Sequence, residues 1–131
     1  MKKAEAEKFC NKWLPAWTGN HPETLIEFYS DEAVYVDPAN KNGLRGREEI
    51  LGYFKKLLAA NPRWVWTAIE VYPTDLGFIG KWKASIPVGS ETISENGIDI
   101  VEATGGKITR NEVYFDRSSL LESIRKSKSQ K

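Results

Sequence analysis

The chain has 131 residues, the length of one domain, and its 40% hydrophobic and 28% charged residues are typical of a globular protein. Nineteen Lys and Arg against 18 Asp and Glu leave a net charge of +1, which argues against a nucleic-acid-binding protein. One cysteine, Cys10, and one histidine, His21, exclude an intrachain disulfide and a zinc cluster, and no apolar run reaches the roughly 18 residues of a membrane span. Because a charged segment follows Met1, we expect a cytoplasmic protein without a membrane partner.

The N-terminal part of the chain predicts three helices. The first begins near residue 4 and carries an apolar stripe at a spacing of four, Phe9, Trp13 and Trp17, in which Pro15 predicts a break. The second begins at Pro22 and ends at Ser30-Asp31. A short extended piece (33–37) and a loop (38–43) precede the third helix, which runs from Gly46 to the stop at Asn61-Pro62.

The hydrophobic period changes to two after Pro62, which predicts β-strands. We expect four of them, over 64–72, 78–86, 92–103 and 107–116, joined by turns that contain glycine. A short helix follows at 120–124, and we expect residues 125–131 to be a basic tail too polar to pack. We interpret the whole chain (1–131) as a single domain, ordered over about 5–124.

This order predicts an α+β fold in which three helices cover one face of an antiparallel sheet. The other face must meet solvent or a second copy of the chain. Trp64, Trp66, Tyr72 and the strand from Thr92 carry the side chains expected there, so we expect a homodimer.

Three aspartates interrupt apolar or aromatic sequence: Asp37, Asp99 and Asp116. Apolar surroundings raise the pKa of a carboxyl group toward neutral pH, where a proton shuttle must work. Structural alternatives stay open, because Asp37 precedes a proline and suits an Asx turn, and Asp116 suits a cap on the last helix. Asp99 has the weakest structural alternative, since an aspartate in mid-strand disfavours the strand.

Two segments carry a family resemblance: 28–54, which includes Tyr35-Val36-Asp37-Pro38, and 106–116, which ends Val113-Tyr114-Phe115-Asp116. Together they resemble the nuclear transport factor 2-like superfamily, and the second is similar to its SnoaL-like polyketide cyclase and ketosteroid isomerase branches. The resemblance implies a cone-shaped, curved antiparallel sheet wrapped around the three helices, a deep apolar pocket and a homodimer.

The resemblance also implies roles for the aspartates. Asp37 falls where ketosteroid isomerases keep their general base, and Asp99 where they keep a protonated aspartic acid that stabilises an enolate. Asp116 matches a pocket aspartate of SnoaL-like cyclases. Trp13 stands where the isomerases have a tyrosine, and its indole N–H is an alternative donor to the enolate.

The expected pocket walls are aromatic, with ordinary core packing as the alternative for each: Trp13, Trp17, Tyr35, Phe54, Trp82 and Tyr114. The sequence therefore predicts a cofactor-free, metal-free isomerase, cyclase or hydratase of a small apolar carbonyl compound. A non-catalytic binding protein for an apolar ligand, or a dimeric interaction module, is the alternative.

Overall fold

Four α-helices and one 3-10 turn occur within residues 1–129, the part of the chain that the computed structural model describes. The helices are α1 (Lys3–Trp13), α2 (Pro22–Ile26), α3 (Arg47–Ala60) and α4 (Ser118–Ser129). The expected break at Pro15 is present, because α1 ends at Trp13 and the 3-10 turn Leu14–Trp17 follows.

A six-stranded, curved and unclosed sheet forms the other layer. Its strands are β1 (Tyr29–Asp37), β2 (Asn40–Arg45), β3 (Val65–Pro73), β4 (Gly77–Val88), β5 (Glu91–Thr104) and β6 (Lys107–Tyr114). The spatial order is β2-β1-β6-β5-β4-β3, and the four predicted strands are the antiparallel run from β3 to β6. The α+β fold class is confirmed.

The N-terminal side of the sheet differs from the prediction. The segment expected as a loop is β2, which pairs with β1 through a tight turn at Asp37 and Asn40. β1 begins at Tyr29, so α2 is shorter than expected. β1 also pairs with β6 in parallel, with Val34 opposite Arg110. β2 contains turn-forming residues and no alternation of apolar and polar side chains, so its sequence does not predict a strand. It forms a strand because β1 pairs with it.

The core lies between the helices and the concave face of the sheet. α1 contributes Ala6, Cys10 and Trp13, and α3 contributes Ile50, Phe54 and Leu58, at the spacing of one buried helix face. On β4, Phe78, Trp82, Ala84 and Ile86 point inward at a period of two.

The prediction that Trp64 and Trp66 lie on the outer face is wrong. Both are half-buried, pack against the core and line its cavity. The outer face of β3 instead carries Val65, Ile69 and Tyr72, each about half exposed. Successive side chains of a strand point to opposite faces of the sheet. The face that Trp64 and Trp66 occupy is therefore set by the register of β3 and not by the size of their side chains.

The C-terminal helix extends further along the chain than expected. α4 runs to Ser129, and Leu120 and Ile124 pack against the core, whereas the sequence predicted an unpacked tail from residue 125. Gln130 and Lys131 lie outside the described residues. None of the helices in residues 1–129 is both long and apolar enough to cross a membrane.

Candidate functional site

A cavity of about 270 Å³ opens between the concave face of the sheet, the 3-10 turn, α3 and α4. Engineered apolar cavities of about 150 Å³ hold benzene, so this one has room for about two fused rings. Seven aromatic side chains line it: Trp17, Tyr35, Tyr53, Trp64, Trp66, Trp82 and Phe115. Asp37 and Asp99 also line it, which places two carboxyl groups in one largely apolar cavity.

Asp37 is held at the end of β1 by five hydrogen-bond donors. Its Oδ1 accepts from the backbone N–H of Ala39 (2.9 Å) and Asn40 (2.8 Å) and from Asn40 Nδ2 (2.9 Å). Its Oδ2 accepts from the hydroxyls of Tyr35 (2.8 Å) and Tyr53 (2.6 Å). An ionised carboxylate accepts about four hydrogen bonds, so these donors already occupy its lone pairs. Asp37 therefore both forms an Asx turn and lines the cavity, the two roles that the sequence left open for it.

The two tyrosines are held as neutral donors to Asp37. Burial, and next the negative charge of Asp37, raise the pKa of Tyr35 well above its ordinary value. Burial and the hydrogen bond to Asp37 raise the pKa of Tyr53. Their hydroxyl protons therefore stay on oxygen at neutral pH, and the hydroxyls are fixed at one end of the cavity.

Asp99 is a mid-strand aspartate on β5 and is 3% exposed. Its Oδ1 accepts a hydrogen bond from Trp82 Nε1 at 3.2 Å, and its neighbour on β4 is Gly80, which has no side chain to fill the space. Its pKa is raised to about 7, chiefly by burial and to a smaller extent by the charge of Asp37, against the hydrogen bonds of Trp82 and Asn111, which lower it. Asp99 therefore changes protonation near neutral pH, as an acid–base group does.

A chain of buried polar groups leads from α1 to the strand beside Asp99. Trp13 Nε1 donates to the Tyr29 hydroxyl (3.2 Å), which donates to Asn111 Oδ1 (2.7 Å). The expectation that Trp13 lines the pocket and donates to an enolate is wrong, because its indole N–H is used inside the core and it does not border the cavity. Cys10 lies in the same layer, and burial raises the pKa of its thiol to about 11, so it stays protonated at neutral pH.

Three further predicted residues lie outside the cavity. Asp116 is exposed and accepts hydrogen bonds from the backbone N–H (2.9 Å) and hydroxyl (2.6 Å) of Ser118, so it caps α4, and these donors lower its pKa. Phe54 is a core residue whose ring packs against Trp17 at 4.9 Å between centroids. Tyr114 is 47% exposed on the outer face. Of the other predicted residues, Trp17, Tyr35 and Trp82 line the cavity.

Several lining residues were not predicted. Tyr53 and Leu57 lie one helical turn apart on α3, a spacing that is visible in the sequence. Val113 and Phe115 continue the inward alternation of β6 from Asn111. Arg117 borders the cavity and donates to the Pro38 carbonyl at 3.4 Å, and the α4 side chains Leu120 and Ile124 close one side. No local pattern pairs Arg117 with Pro38, because 79 residues separate them.

The described residues form no cluster of metal-ligating side chains. Within residues 1–129, no three His, Cys, Asp or Glu side chains come close enough together to hold a metal ion. The polar side chains that line the cavity instead carry two carboxyls, two phenols, a guanidinium, the Asn61 amide and indole N–H groups. They can exchange protons and hydrogen bonds with a ligand.

Residues 10–111 match the family model described as the SnoaL-like domain. No curated protein matches this sequence significantly.

Several solved structures share the fold. A protein with a ketosteroid isomerase-like fold from Catenulispora acidiphila, in complex with trimethylamine, has a TM-score of 0.79 at 22% identity, covering 90% of this chain and 92% of that one. TerC, co-crystallised with polyporic acid, has a TM-score of 0.77 at 12% identity, covering 92% and 98%. A SnoaL-like protein from Burkholderia thailandensis has a TM-score of 0.75 at 14% identity, covering 88% and 98%. At these identities the likeness shows the fold.

Proposed function

The chain belongs to the SnoaL-like domain family, and from that premise we propose that it is a cofactor-free isomerase or cyclase of a small apolar carbonyl compound, with Asp99 as its acid–base group. One observation carries the proposal: a carboxyl group that is 3% exposed and titrates near neutral pH lines a cavity with seven aromatic walls. A group with this pKa can both remove and return a proton at neutral pH.

Asp99 suits the role of base better than Asp37, the residue that the family resemblance favours. The lone pairs of Asp37 already accept five hydrogen bonds, so abstracting a substrate proton would break at least one of them. Asp99 has fewer partners, because its Oδ1 accepts from Trp82 and Asn111 is its other hydrogen-bonding neighbour, and its Oδ2 is the oxygen we assign to the substrate. Asp37 then has a positioning role: it orients the hydroxyls of Tyr35 and Tyr53, and its charge adds a small contribution to the pKa of Asp99, which burial chiefly raises.

The proposed reaction is a proton transfer at carbon. Ionised Asp99 removes a proton from the carbon next to the carbonyl, and the electron pair of the broken C–H bond moves into the enolate. The enolate then either takes the proton back at another carbon, which is an isomerisation, or attacks a second carbonyl of the same molecule, which closes a ring. In both cases the proton on Asp99 returns to product and the carboxylate is regenerated.

An exchange experiment in D₂O tests this without knowledge of the natural substrate. We choose 2-tetralone, a bicyclic ketone that suits the cavity volume, and follow the loss of its α-proton signals by NMR. Positioned proton transfer contributes about 10²- to 10⁴-fold, so Asp99→Asn should lower the catalysed exchange rate by that factor. Asp75→Asn, an exposed aspartate in the β3–β4 turn, is the matched control and should exchange like the wild type.

Two results would contradict the proposal. If the wild type exchanges the α-protons no faster than the buffer does, ketones of this class are not its substrates. Catalysed exchange that survives in Asp99→Asn and disappears in Asp37→Asn would return the role of base to Asp37.

The second candidate function is non-catalytic binding of a small alkylated amine. Aromatic faces attract quaternary and tertiary ammonium groups, the cavity adds two carboxyl groups, and the Catenulispora relative was crystallised with trimethylamine. Calorimetric titration with trimethylammonium and with the neutral, similarly shaped tert-butanol separates the two functions. Tight binding of the cation alone, with no ketone exchange, favours the amine-binding protein.

We also propose that the protein is a homodimer through the outer face of the sheet. Val65, Ile69 and Tyr72 of β3 and Tyr114 of β6 lie about half exposed, and Ile98, the register neighbour of Tyr114 on β5, is 37% exposed. Apolar side chains grouped on one face favour association, most often with two-fold symmetry. Sedimentation of the wild type at micromolar concentration should give twice the chain mass, and Ile98→Lys should shift it toward the monomer.

A further inference from the structure

A buried chain of hydrogen bonds connects α1 to the Asp99 carboxyl group through β1 and β6. Trp13, Tyr29 and Asn111 are fully buried, and none of the three borders the cavity. Trp13 Nε1 donates to the Tyr29 hydroxyl at 3.2 Å, and that hydroxyl donates to Asn111 Oδ1 at 2.7 Å. The Asn111 amide in turn hydrogen-bonds the Asp99 carboxyl and lowers its pKa, as a donor does. The four side chains therefore form one connected network, and of these four Asp99 alone lines the cavity.

The register of β5 and β6 brings Asn111 and Asp99 together. Asn111 lies opposite Val101, and Asp99 lies two residues before Val101 on β5, so the three side chains point to the same face of the sheet. Diagonal neighbours on one face of a sheet are close enough for their side chains to interact.

Trp13 fixes the direction of the hydrogen bonds in this network. An indole N–H can donate a hydrogen bond and cannot accept one, so the Tyr29 oxygen is its acceptor. Burial raises the pKa of Tyr29 well above its ordinary value, so the phenol keeps its proton and donates it to the Asn111 oxygen. The amide oxygen and the NH₂ group of an asparagine lie on different sides of its side chain, so an oxygen held by Tyr29 leaves the NH₂ group facing β5. Asn111 Nδ2 accordingly lies 3.5 Å from the carbonyl oxygen of Ile100, the residue next to Asp99.

We propose that Tyr29 is a positioning residue for the acid–base group, because it holds the Asn111 amide with its NH₂ group toward Asp99. An NH₂ group donates to a carboxylate and favours the ionised form, whereas an amide turned round would offer its oxygen to a protonated carboxyl and favour that form. The fixed amide thus supports the ionised carboxyl, the form that removes a proton from carbon. The role of Tyr29 in the reaction rests on the proposed function, since Tyr29 does not border the cavity and acts through Asp99.

Other groups also act on Asp99, and each belongs to a different element. Trp82 on β4 donates to it, Cys10 on α1 interacts with its charge and stays protonated at neutral pH, and Asp37 at the end of β1 acts on it through its own charge. Removing the Tyr29 hydroxyl leaves these three side chains unchanged, so its effect on Asp99 can be measured separately.

The titration of the Asp99 carboxyl carbon, followed by ¹³C NMR in the ligand-free protein, tests the positioning role. In Tyr29→Phe the Asn111 oxygen loses its donor and the amide can turn. The midpoint of the Asp99 titration should then rise by about one to two pH units, the size of one hydrogen bond to a charged group. Tyr72→Phe, which removes an exposed hydroxyl that bonds Glu70, is the control and should titrate like the wild type. A purely structural role would lower the stability of Tyr29→Phe and leave the Asp99 midpoint in place.

A double-variant cycle separates action through Asn111 from a general loosening of the fold. Asn111→Leu removes the amide at similar size, and it should itself raise the midpoint because Asp99 loses a donor. Adding Tyr29→Phe to Asn111→Leu should raise the midpoint no further, because the hydroxyl acts through the amide. Equal increments from Tyr29→Phe in the two backgrounds, or an unchanged midpoint in Tyr29→Phe alone, overturns the proposal.

A further measurement needs no variant. In ¹⁵N–¹H spectra of the wild type, the Asn111 NH₂ protons should move downfield as Asp99 ionises, with the same midpoint as the carboxyl carbon. The NH₂ resonances of the exposed Asn42 are the internal control and should stay in place over that pH range. Asn111 protons that do not follow the titration would contradict the proposed orientation. Because these readouts use the free protein, a failure of ketone exchange would reject the proposed reaction and leave the orientation of the amide standing.

Discussion

The Trp82 indole donates its N–H to the Asp99 carboxylate across β4 and β5, at 3.2 Å from Nε1 to Oδ1. The register of the two strands makes this contact possible: Trp82 lies directly opposite Gly97, so its ring can lie across the bare backbone of Gly97 and reach the side chain two residues further on. The hydrogen bond lowers the pKa of Asp99 while burial raises it. The pKa of about 7 is thus a balance between burial, which raises it, and the hydrogen bonds of Trp82 and Asn111, which lower it.

Gly97→Ala should break this arrangement. A Cβ at residue 97 would lie 2.4 Å from Trp82 Cζ2 and 2.8 Å from Phe115 Cβ, so the indole must move away from Asp99. Such overpacking typically costs about 1–3 kcal/mol of unfolding free energy. Urea denaturation measures this loss. Gly52→Ala is the control, because Gly52 lies within α3 and no atom is near its added Cβ; this variant should gain about 0.5–1 kcal/mol of unfolding free energy. Equal stability of the two variants would contradict the packing argument.

The pH profile of the exchange reaction should follow the ionisation of Asp99. Because the base acts in its ionised form, the catalysed rate should rise with pH and level off above the pKa of about 7. NMR exchange rates in a buffer series, corrected for the uncatalysed reaction, give the profile. A catalysed rate that falls with rising pH over the same range would mean that the protonated carboxyl does the work.

Asp99 should also make folding stability depend on pH. Its pKa rises from an ordinary value of 3.8, which the unfolded chain keeps, to about 7 in the folded chain, so between these values the folded state holds a proton that the unfolded state has released. The free energy of unfolding therefore falls as pH rises through this window, by about 2–3 kcal/mol from about pH 5 to pH 8. Asp99→Asn cannot ionise, so urea denaturation should show a fall smaller by that amount. Parallel curves for the two proteins would contradict the assignment.

Asp37→Asn should destabilise the fold. An amide offers one acceptor oxygen where the carboxylate offers two, so the Tyr35 and Tyr53 hydroxyls, or the Ala39 and Asn40 amides, lose their partner. Buried donors left without acceptors cost about 1–3 kcal/mol each, and we expect a loss of about 2 kcal/mol or more by urea denaturation. Asp75→Asn should stay within about 0.5 kcal/mol of the wild type. A similarly small change in Asp37→Asn would mean that these donors matter little to stability.

Local patterns in the sequence determined the fold class and most of the elements. Apolar spacing of three and four residues marked α1 and α3, Pro15 marked the break after α1, and a period of two marked β3 to β6. The same patterns placed Asp37 and Asp99 in apolar surroundings, and the family resemblance joined them in one pocket. Such features are readable because helix and strand periodicities are properties of neighbouring residues.

The tertiary structure alone decided which groups meet and in what state. β2 exists because β1 offers it a partner, Trp64 and Trp66 face the cavity because of the register of β3, and Asp116 caps α4 instead of reaching the cavity. The chemistry of the two buried aspartates diverges for the same reason: β1, the β1–β2 turn, β2 and α3 together bring five donors to Asp37, whereas burial on β5 leaves Asp99 with a raised pKa. Hydrogen bonding and desolvation depend on residues distant along the chain, so no local pattern reveals which carboxyl group titrates near neutral pH.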